Sequence, residues 1–248
     1  MRFFHSPEQD GVYGIIDPWI SLPRLLLVTD RRRAAPRDIV EVVTEAVRGG
    51  VTFVQLREKD LPGGELFALA QRLREATRER ALLVVNDRAD VAQACEAEGV
   101  HLGEASVPVA AARKIMGQRK LVGCSVHTVV AAIEAERDGA DYLIAGAIFP
   151  TASHPDTAPQ GLEFLREVCA AVKIPVFAIG GITRANARDC LAAGAYGVAV
   201  IGEIIGAENP EHRARDLSAG LEGWGTVQIP PPAPASPQPY PPRGGPPK

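Results

Sequence analysis

Residues 175–183 read PVFAIGGIT, a short apolar run that ends in two consecutive glycines. A run of this length, rich in apolar residues, is typical of a buried strand. Gly180 and Gly181 then open a loop that leads into a segment with helical spacing. A strand that ends in this way is typical of a (β/α)8 barrel, because the loops that follow the strands form the reactive face of that fold.

Seven further runs of the same kind alternate with longer segments in which apolar residues recur three and four positions apart. That spacing predicts helices with one buried face. Strands that alternate with helices pair in parallel, and about eight such units in about 200 residues match the usual barrel. We predict an α/β fold, a single-domain (β/α)8 TIM barrel over residues 23–222; an open doubly wound sheet is the alternative. The eight runs are RLLLVTD, TFVQLREKD, ALLVVNDR, GVHLGE, KLVGCSVH, DYLIAGAIFP, IPVFAIGG and YGVAVIG.

Composition and charge narrow the functional classes. Hydrophobic residues make up 46% of the 248 residues and the formal net charge is −3, so the chain can bury a core but lacks the basic balance of a nucleic-acid-binding protein. No apolar run approaches the roughly 20 residues of a membrane span, and the first residues do not resemble a secretion signal. The four cysteines lack CxxC spacing, which favours reduced core thiols in a cytoplasmic protein over a metal site or disulfides.

The two ends of the chain fall outside the barrel prediction. Residues 1–22 carry scattered apolar side chains and are expected to form an N-terminal extension, either packed on the barrel or loose over it. Residues 223–248 include the proline-dense stretch IPPPAPASPQPYPPRGGPPK. Such a stretch has no hydrophobic period and is expected to be a disordered tail of extended, polyproline-like conformation. Docking of the tail to a proline-recognition module is the weaker alternative.

Three glycines indicate a phosphate site. Gly180 and Gly181 precede a helix, and Gly202 follows the last predicted strand. Backbone N–H groups without a neighbouring side chain can approach an anion closely, and this fold commonly holds phosphate after strands seven and eight. The alternative is a tight turn that requires a positive φ.

Polar residues also alternate at the end of the second predicted strand. Gln55, Arg57 and Lys59 lie two positions apart, so their side chains point to one side of an extended segment. Two cations and an amide directed together suit an anionic substrate. Because Glu58 and Asp60 lie beside them, a salt-bridged loop is the alternative.

The third and fifth predicted strands end in residues with catalytic chemistry. Asp87, next to Asn86, has the oxygen ligands for Mg²⁺ or could accept a proton; a helix N-cap is the alternative. Ser125 and His127 lie two positions apart. Histidine is the side chain that most often serves as a general acid/base, so His127 is a candidate for that role, whereas Ser125 can hydrogen-bond a ligand. A structural histidine is the alternative for His127.

Six stretches, in their order and spacing, resemble the thiamine phosphate synthase/TenI superfamily. The similarity extends over about residues 25–205, nearly the whole predicted barrel. It implies a TIM barrel, a phosphate cradle at the glycines and a role in the thiazole branch of thiamine biosynthesis. A different phosphate-sugar isomerase or epimerase is disfavoured, because the ordered motifs rather than the fold carry the resemblance. The stretches are VQLREKD, VNDRADVA, GVHLGEASVPV, GCSVHT, FPTASHPD and IPVFAIGGITRANA.

Two activities compete within that superfamily. The synthase joins a hydroxymethylpyrimidine diphosphate to a thiazole phosphate: diphosphate leaves with the help of Mg²⁺, and the thiazole nitrogen captures the pyrimidine cation. The TenI-type tautomerase moves a proton on a thiazole carboxylate phosphate without a cofactor, and its expected acid/base is His127. For the synthase, the resemblance implies that Gln55, Arg57 and Lys59 bind the diphosphate. It places Asn86 and Asp87 at the pyrimidine and Mg²⁺ and gives Ser125 an assisting role. It also implies substrate contacts for Thr151 and Ser153.

Two departures from the synthase pattern favour the tautomerase. Where synthases usually have an aspartate as second Mg²⁺ ligand, this chain has Ser106, and a hydroxyl is a poorer ligand for a hard cation than a carboxylate. Where they have a lysine near the leaving diphosphate, this chain has His154, which is mostly neutral at pH 7. The expected tautomerase site has His127, Ser125 and Lys59 as catalytic residues, Arg57 with Lys59 near the carboxylate, and Gly180, Gly181 and Gly202 on the phosphate.

Two alternatives stay open: an active synthase whose Mg²⁺ is held by Asp87 with Glu104, and a barrel that binds thiamine-related phosphates without turnover and acts as a regulator. The expected partner is a small phosphorylated thiazole, joined by the pyrimidine diphosphate if the chain is a synthase. Neither a nucleic acid nor a membrane is expected, and barrels of this size often form homo-oligomers.

Overall fold

Eight short strands pair side by side in chain order, and the first pairs with the last, in the computed structural model, which describes residues 22–151 and 158–221. Every pair is parallel. The predicted (β/α)8 TIM barrel is confirmed, and the open-sheet alternative is excluded. The strands are β1 Leu25–Val28, β2 Phe53–Leu56, β3 Leu82–Asn86, β4 Gly99–Leu102, β5 Leu121–Val126, β6 Tyr142–Gly146, β7 Val176–Ile179 and β8 Gly197–Val200.

Helices cover the outside of the barrel, as their three- and four-residue apolar spacing predicts. The helix at Ile39–Arg48 shows the pattern: it buries Val42, Val43 and Ala46, and the Asp38 carboxylate caps its first turn by accepting a hydrogen bond from the Val40 N–H. The described helices are α1 Arg31–Ala34, α2 Ile39–Arg48, α3 Gly63–Thr77, α4 Ala89–Ala94, α5 Val109–Met116, α6 Val129–Arg137, α7 Gly161–Ala171, α8 Ala187–Ala192, α9 Gly202–Ile205 and α10 Pro210–Leu221.

Alternation along each strand divides the buried residues into two clusters. In β1, Leu25 and Leu27 pack against the helices, whereas Leu26 and Val28 belong to the cluster inside the barrel. The same alternation holds in the other strands, because side chains of successive strand residues point to opposite faces of the sheet. Residues two apart at the strand ends therefore share the lumen.

Aromatic rings fill the lower part of the lumen. The rings of Phe53, Tyr142 and Phe177 contact one another edge to face with centroids 5.4 to 6.0 Å apart, and Tyr196 contacts Phe177 at 5.6 Å. Such contacts contribute beyond simple area burial. The Tyr142 ring lies so close to Gly123 of the neighbouring strand that a Cβ atom there would overlap it. This aromatic layer closes the lumen below the polar strand ends.

Some of the expectations lie outside the described residues. They are the extension at residues 1–22 apart from Leu22, the tail at residues 223–248, and the two loop residues Ser153 and His154. The four cysteines are free, and burial raises the pKa of Cys124 to about 11 and of Cys169 and Cys190 to about 12. Within the described ranges, none of the helices is long and apolar enough to span a membrane.

We predict that Gly123→Ala destabilises the protein by about 1–3 kcal/mol, because the new methyl group forces the enclosed Tyr142 ring to move. Gly64→Ala is the matched control: Gly64 lies in the first turn of α3 with nothing within 4 Å of its virtual Cβ. The control should be neutral or stabilising by up to about 1 kcal/mol. Urea unfolding of both variants measures the difference, and equal stabilities would contradict the packing described.

Candidate active site

A cavity of about 750 Å³ is lined by residues from the carboxyl ends of the barrel strands. A cavity of this size can hold a small ligand or two. Of the residues singled out in the sequence, Asp87 does not line the cavity and Ser153 lies outside the described ranges. The structure brings eleven of them together around it: Gln55, Arg57, Lys59, Asn86, Glu104, Ser125, His127, Thr151, Gly180, Gly181 and Gly202.

The two consecutive glycines pack closely against the loop that follows β6. Gly180 and Gly181 have φ values of +98° and +62°, and a Cβ on Gly180 would stand 2.6 Å from the Ala147 Cβ. A side chain on Gly181 would overlap the carbonyl oxygen of Pro150. The turn therefore requires glycine at both positions, as the alternative of a tight turn with a positive φ predicted. Because neither residue has a side chain, their backbone atoms are exposed at the cavity wall.

Gly202 differs from the other two glycines because its φ is not positive. A Cβ there would lie 3.2 Å from Nη1 of Arg33, a cavity-lining residue that sequence analysis did not single out. In the part of the chain that the structure describes, the N–H groups of Gly181 and Gly202 donate to no other group. Unpaired N–H groups beside a cavity are suited to an anion.

The carboxylates of the β2 loop pair with arginines of another segment rather than with Arg57 and Lys59. Glu58 and Asp60 are bound instead by Arg31, at 3.1 Å and 2.6 Å, and Asp60 also by Arg32 at 2.7 Å. The hydrogen bond from Arg31 holds the pKa of Asp60 well below its usual value. Residues 22–151 and 158–221 provide no side-chain partner for Arg57 or Lys59. The carboxylates of the β2 loop are therefore salt-bridged, as the alternative predicted, but their partners are Arg31 and Arg32 rather than the cations of the same loop.

A chain of amide hydrogen bonds ends at a carboxylate. The Asp87 carboxylate can only accept, so Asn86 must direct its Nδ2 toward it, at 2.7 Å. The Asn86 oxygen then accepts from Gln55 Nε2 at 2.9 Å. Gln55 Oε1 is left buried without a hydrogen-bond partner among the described residues. A buried acceptor left unpaired is costly, and because Gln55 lines the cavity, a ligand N–H would satisfy it.

Asp87 is neither an N-cap nor an open metal ligand. Its Oδ1 accepts from the Gly103 N–H at 3.1 Å and from the Ser106 hydroxyl, and its Oδ2 is held by Asn86. No group of three His, Cys, Asp or Glu residues within the described ranges could hold a metal ion. Mg²⁺ requires near-octahedral oxygen ligands, so these residues do not fit an ion held by the protein alone.

His101, which sequence analysis did not assign a role, lies at the centre of the lumen. It is 1% exposed, and burial lowers its pKa to about 3, so the ring is neutral. Its Nδ1 lies 3.1 Å from the Tyr142 hydroxyl and its Nε2 2.9 Å from Ser125 Oγ. A buried phenol satisfies its donor, so we infer that Tyr142 donates to Nδ1. The Nε2–H then donates to Ser125, whose own proton stays available to a ligand.

His127 lies at the rim of the cavity. Its Nδ1 is 2.7 Å from Glu104 Oε1, and the two side chains are 43% and 69% exposed. Val126, the residue between Ser125 and His127, packs outward against the helices. The rim position gives His127 contact with both the cavity and solvent, which suits proton exchange, although the bond to Glu104 commits one ring nitrogen.

A family model described as thiamine monophosphate synthase matches residues 25–204, which is most of the barrel. The chain belongs to the thiamine monophosphate synthase family. Two relatives named thiamine-phosphate synthase are each 47% identical: one from Roseiflexus castenholzii, over 77% of this chain and 85% of the relative, and one from Moorella thermoacetica, over 78% and 93%. A solved thiamine phosphate pyrophosphorylase from Pyrococcus furiosus is 43% identical, with a TM-score of 0.75 and coverage of 81% and 96%.

Membership of this family confirms the expected superfamily and the expectation of an enzyme. These relatives bear the name of the synthase, a transferase, and so support the activity that the sequence analysis ranked second. The preference for the tautomerase gains no support from them.

We predict that Ser106→Asp creates a Mg²⁺ response that the natural chain lacks. The new carboxylate would lie beside Asp87, so that the two repel each other without a cation and bind one together. Mg²⁺ should then raise the melting temperature of S106D but not of the natural protein or of the uncharged control Ser106→Asn, because a ligand stabilises the state that binds it. An equal, saturable shift in the natural protein would show that Asp87 suffices.

We also predict that His101 makes the protein less stable in acid. Its folded pKa of about 3 lies below the ordinary value of 6.5, so between these values the unfolded chain takes up a proton that the folded chain does not. The free energy of unfolding should therefore fall as the pH falls, by up to about 1.4 kcal/mol per pH unit from this group.

The comparison of His101→Asn with the natural protein at several pH values isolates this contribution. Between about pH 6 and pH 4, the free energy of unfolding of the variant should depend on pH less steeply, by the slope that the binding of one proton produces. The variant should also be less stable overall. The control His212→Asn replaces a histidine of α10 that is 66% exposed and lies 3.6 Å from Asp216, outside the lumen, and it should not reproduce the change of slope in H101N. Identical slopes in H101N and the natural protein would refute the assignment.

Proposed function

We propose that this chain is a thiamine-phosphate synthase, which joins a hydroxymethylpyrimidine diphosphate to a thiazole phosphate and releases diphosphate. One observation carries the proposal. Among the described residues, a single cavity combines a buried acceptor without a partner at Gln55, two cations without a side-chain partner at Arg57 and Lys59, and exposed backbone at the glycines. The synthase name of relatives at 47% identity supports it.

The orphaned oxygen of Gln55 favours the synthase over the tautomerase. An aminopyrimidine brings N–H donors that such an acceptor can bind, whereas the carboxylate and phosphate of the tautomerase substrate bring only acceptors. Gln55 would thus hold the pyrimidine ring rather than the diphosphate, which changes the role that the resemblance assigned to it. Ser125, with its proton left available by His101, would donate to the same ring.

The reaction breaks the bond between the pyrimidine methylene carbon and the diphosphate oxygen, and the electron pair leaves with diphosphate. The thiazole nitrogen then forms a C–N bond to the methylene cation. Arg57 and Lys59 would bind the negative charge that develops on the departing diphosphate, which is the main electrostatic task in this step. The glycine backbone after β7 and β8 would hold the thiazole phosphate in line with the methylene carbon.

We expect the purified protein, supplied with both substrates and Mg²⁺, to form thiamine phosphate and diphosphate in equal amounts, measured by chromatography and by a coupled diphosphate assay. Arg57→Ala and Lys59→Ala should each lower kcat/KM by roughly 10- to 100-fold, because each removes a bond to a charged group. Lys114→Ala, an exposed lysine of α5 away from the cavity, is the matched control.

Failure to form any thiamine phosphate would overturn the proposal. If instead the protein isomerises the thiazole carboxylate phosphate alone, and His127→Ala abolishes that reaction, the tautomerase is the correct function. Tight binding of thiamine phosphate without either turnover would indicate the regulator.

A further inference from the structure

Three arginines follow one another after β1, and only the third lines the cavity. Arg31 and Arg32 bind the carboxylates of Glu58 and Asp60. Arg33 lies among the cavity-lining residues, and its side chain is 32% exposed. The short helix α1 thus sends two of its basic side chains to the β2 loop and one to the cavity.

Asp30 holds Arg33 in place without consuming its terminal nitrogens. The Asp30 carboxylate accepts hydrogen bonds from the N–H groups of Arg32 and Arg33 as the N-cap of α1, and its Oδ2 lies 3.2 Å from Arg33 Nε. Neither Nη1 nor Nη2 of Arg33 has a partner in residues 22–151 and 158–221. The guanidinium is therefore oriented by its inner edge and open at its outer edge.

Gly202 gives this guanidinium access to the end of β8. Strands β1 and β8 are paired in register, with Leu27 opposite Val200, so the segments that follow them are neighbours. The space that a Cβ of Gly202 would occupy lies 3.2 Å from Arg33 Nη1. Any larger side chain at position 202 would have to displace the guanidinium. The open edge of Arg33 thus lies against the glycine backbone that borders the cavity.

Two carboxylates on the segments around Arg33 are bound to arginines among the described residues. Asp30 is bound to Arg33 itself, and Glu203, which lines the cavity beside Gly202, lies 3.3 Å from Nη1 of Arg213. Among the described residues, the two terminal nitrogens of Arg33 thus keep their N–H donors without a partner, next to the unpaired N–H of Gly202. A doubly charged phosphoryl group matches this arrangement, because a guanidinium can bind two of its oxygens at once.

We propose that Arg33 binds the phosphate of the thiazole substrate, completing the cradle formed by Gly180, Gly181 and Gly202, and that it makes the site selective for the phosphorylated over the unphosphorylated thiazole. This inference rests on the proposed function for the identity of the ligand. It assigns Arg33 to the thiazole phosphate, and assigns Arg57 and Lys59, in the loop after the neighbouring strand β2, to the diphosphate.

The experiment compares Arg33→Ala with Arg32→Ala, an adjacent arginine that is 76% exposed and bound to Asp60. Calorimetric titration with thiazole phosphate, and separately with inorganic phosphate, should show R33A weakened by on the order of 10- to 100-fold, the range of a lost charge-assisted hydrogen bond. R32A should bind within about twofold of the natural protein. Arg33→Lys should recover part of the affinity, because it restores the charge but not the paired donors.

Steady-state kinetics measure how strongly the enzyme prefers the phosphorylated thiazole to the thiazole alcohol. The KM for thiazole phosphate should rise in R33A by a similar factor while the KM for the pyrimidine diphosphate stays within about twofold, and the preference for thiazole phosphate over the thiazole alcohol should fall by about the same factor. Circular dichroism checks that each variant is folded. If R33A does not fold, Arg33→Gln, which keeps the stem and loses the charge, takes its place.

The outcomes separate this inference from the proposed function. Natural protein that makes thiamine phosphate, with R33A unchanged in affinity, selectivity and KM, refutes the role of Arg33 alone. Equal losses in R33A and R32A also refute it, since they would indicate a general effect of positive charge. Natural protein that binds thiazole phosphate through Arg33 but makes no thiamine phosphate supports the inference and refutes the synthase.

Discussion

Closure of a sheet of parallel strands is the constraint on which the rest of this molecule depends. Because every strand runs in the same direction, all eight carboxyl ends meet at one rim, and because side chains alternate, every second residue of each strand enters one lumen. Residues as distant in sequence as Gln55 and Gly202 then border one cavity. A single shift in the register of β2 would turn Gln55 and Phe53 outward together, so packing of the lumen and chemistry of the cavity are maintained by the same pairing.

Within the lumen, polarity changes over the length of one strand. Phe53 and Tyr142 belong to the aromatic layer. Gln55 and Ser125 lie nearer the carboxyl ends of their strands and line the cavity. The Tyr142 hydroxyl and His101 connect the two levels by hydrogen bonds. Burial of these polar groups is tolerable because each has a partner, and a fully connected network holds its members in one arrangement. Among the described residues, the oxygen of Gln55 is an exception, because it has no partner in this network and a ligand donor would complete its bonding.

The barrel was predictable from the sequence because its signals are local: strand length, helical spacing and glycines at element ends. Several of the cavity-lining residues were also predictable, since parity along a strand places Gln55 with Arg57 and Lys59. The parity argument would equally have placed His101 in the lumen, two residues after Gly99, had it been applied to β4. The local sequence pattern could not predict which side chains pair with one another by ion pairs and hydrogen bonds. That Glu58 binds Arg31 and that Asp87 binds Ser106 depends on contacts between loops far apart in the chain.

The arrangement of arginines after β1 has a consequence for how substrates reach the enzyme. The chain as a whole is anionic, with a formal charge of −3, and would repel phosphate esters at long range. Arg31 and Arg32 neutralise the carboxylates of the β2 loop, so the mouth of the cavity presents Arg33, Arg57 and Lys59 to an approaching anion. The apolar barrel wall concentrates the electric field of these cations at the cavity. The association rate of an anionic substrate should therefore fall as ionic strength rises, because the Debye length is only about 8 Å at physiological salt.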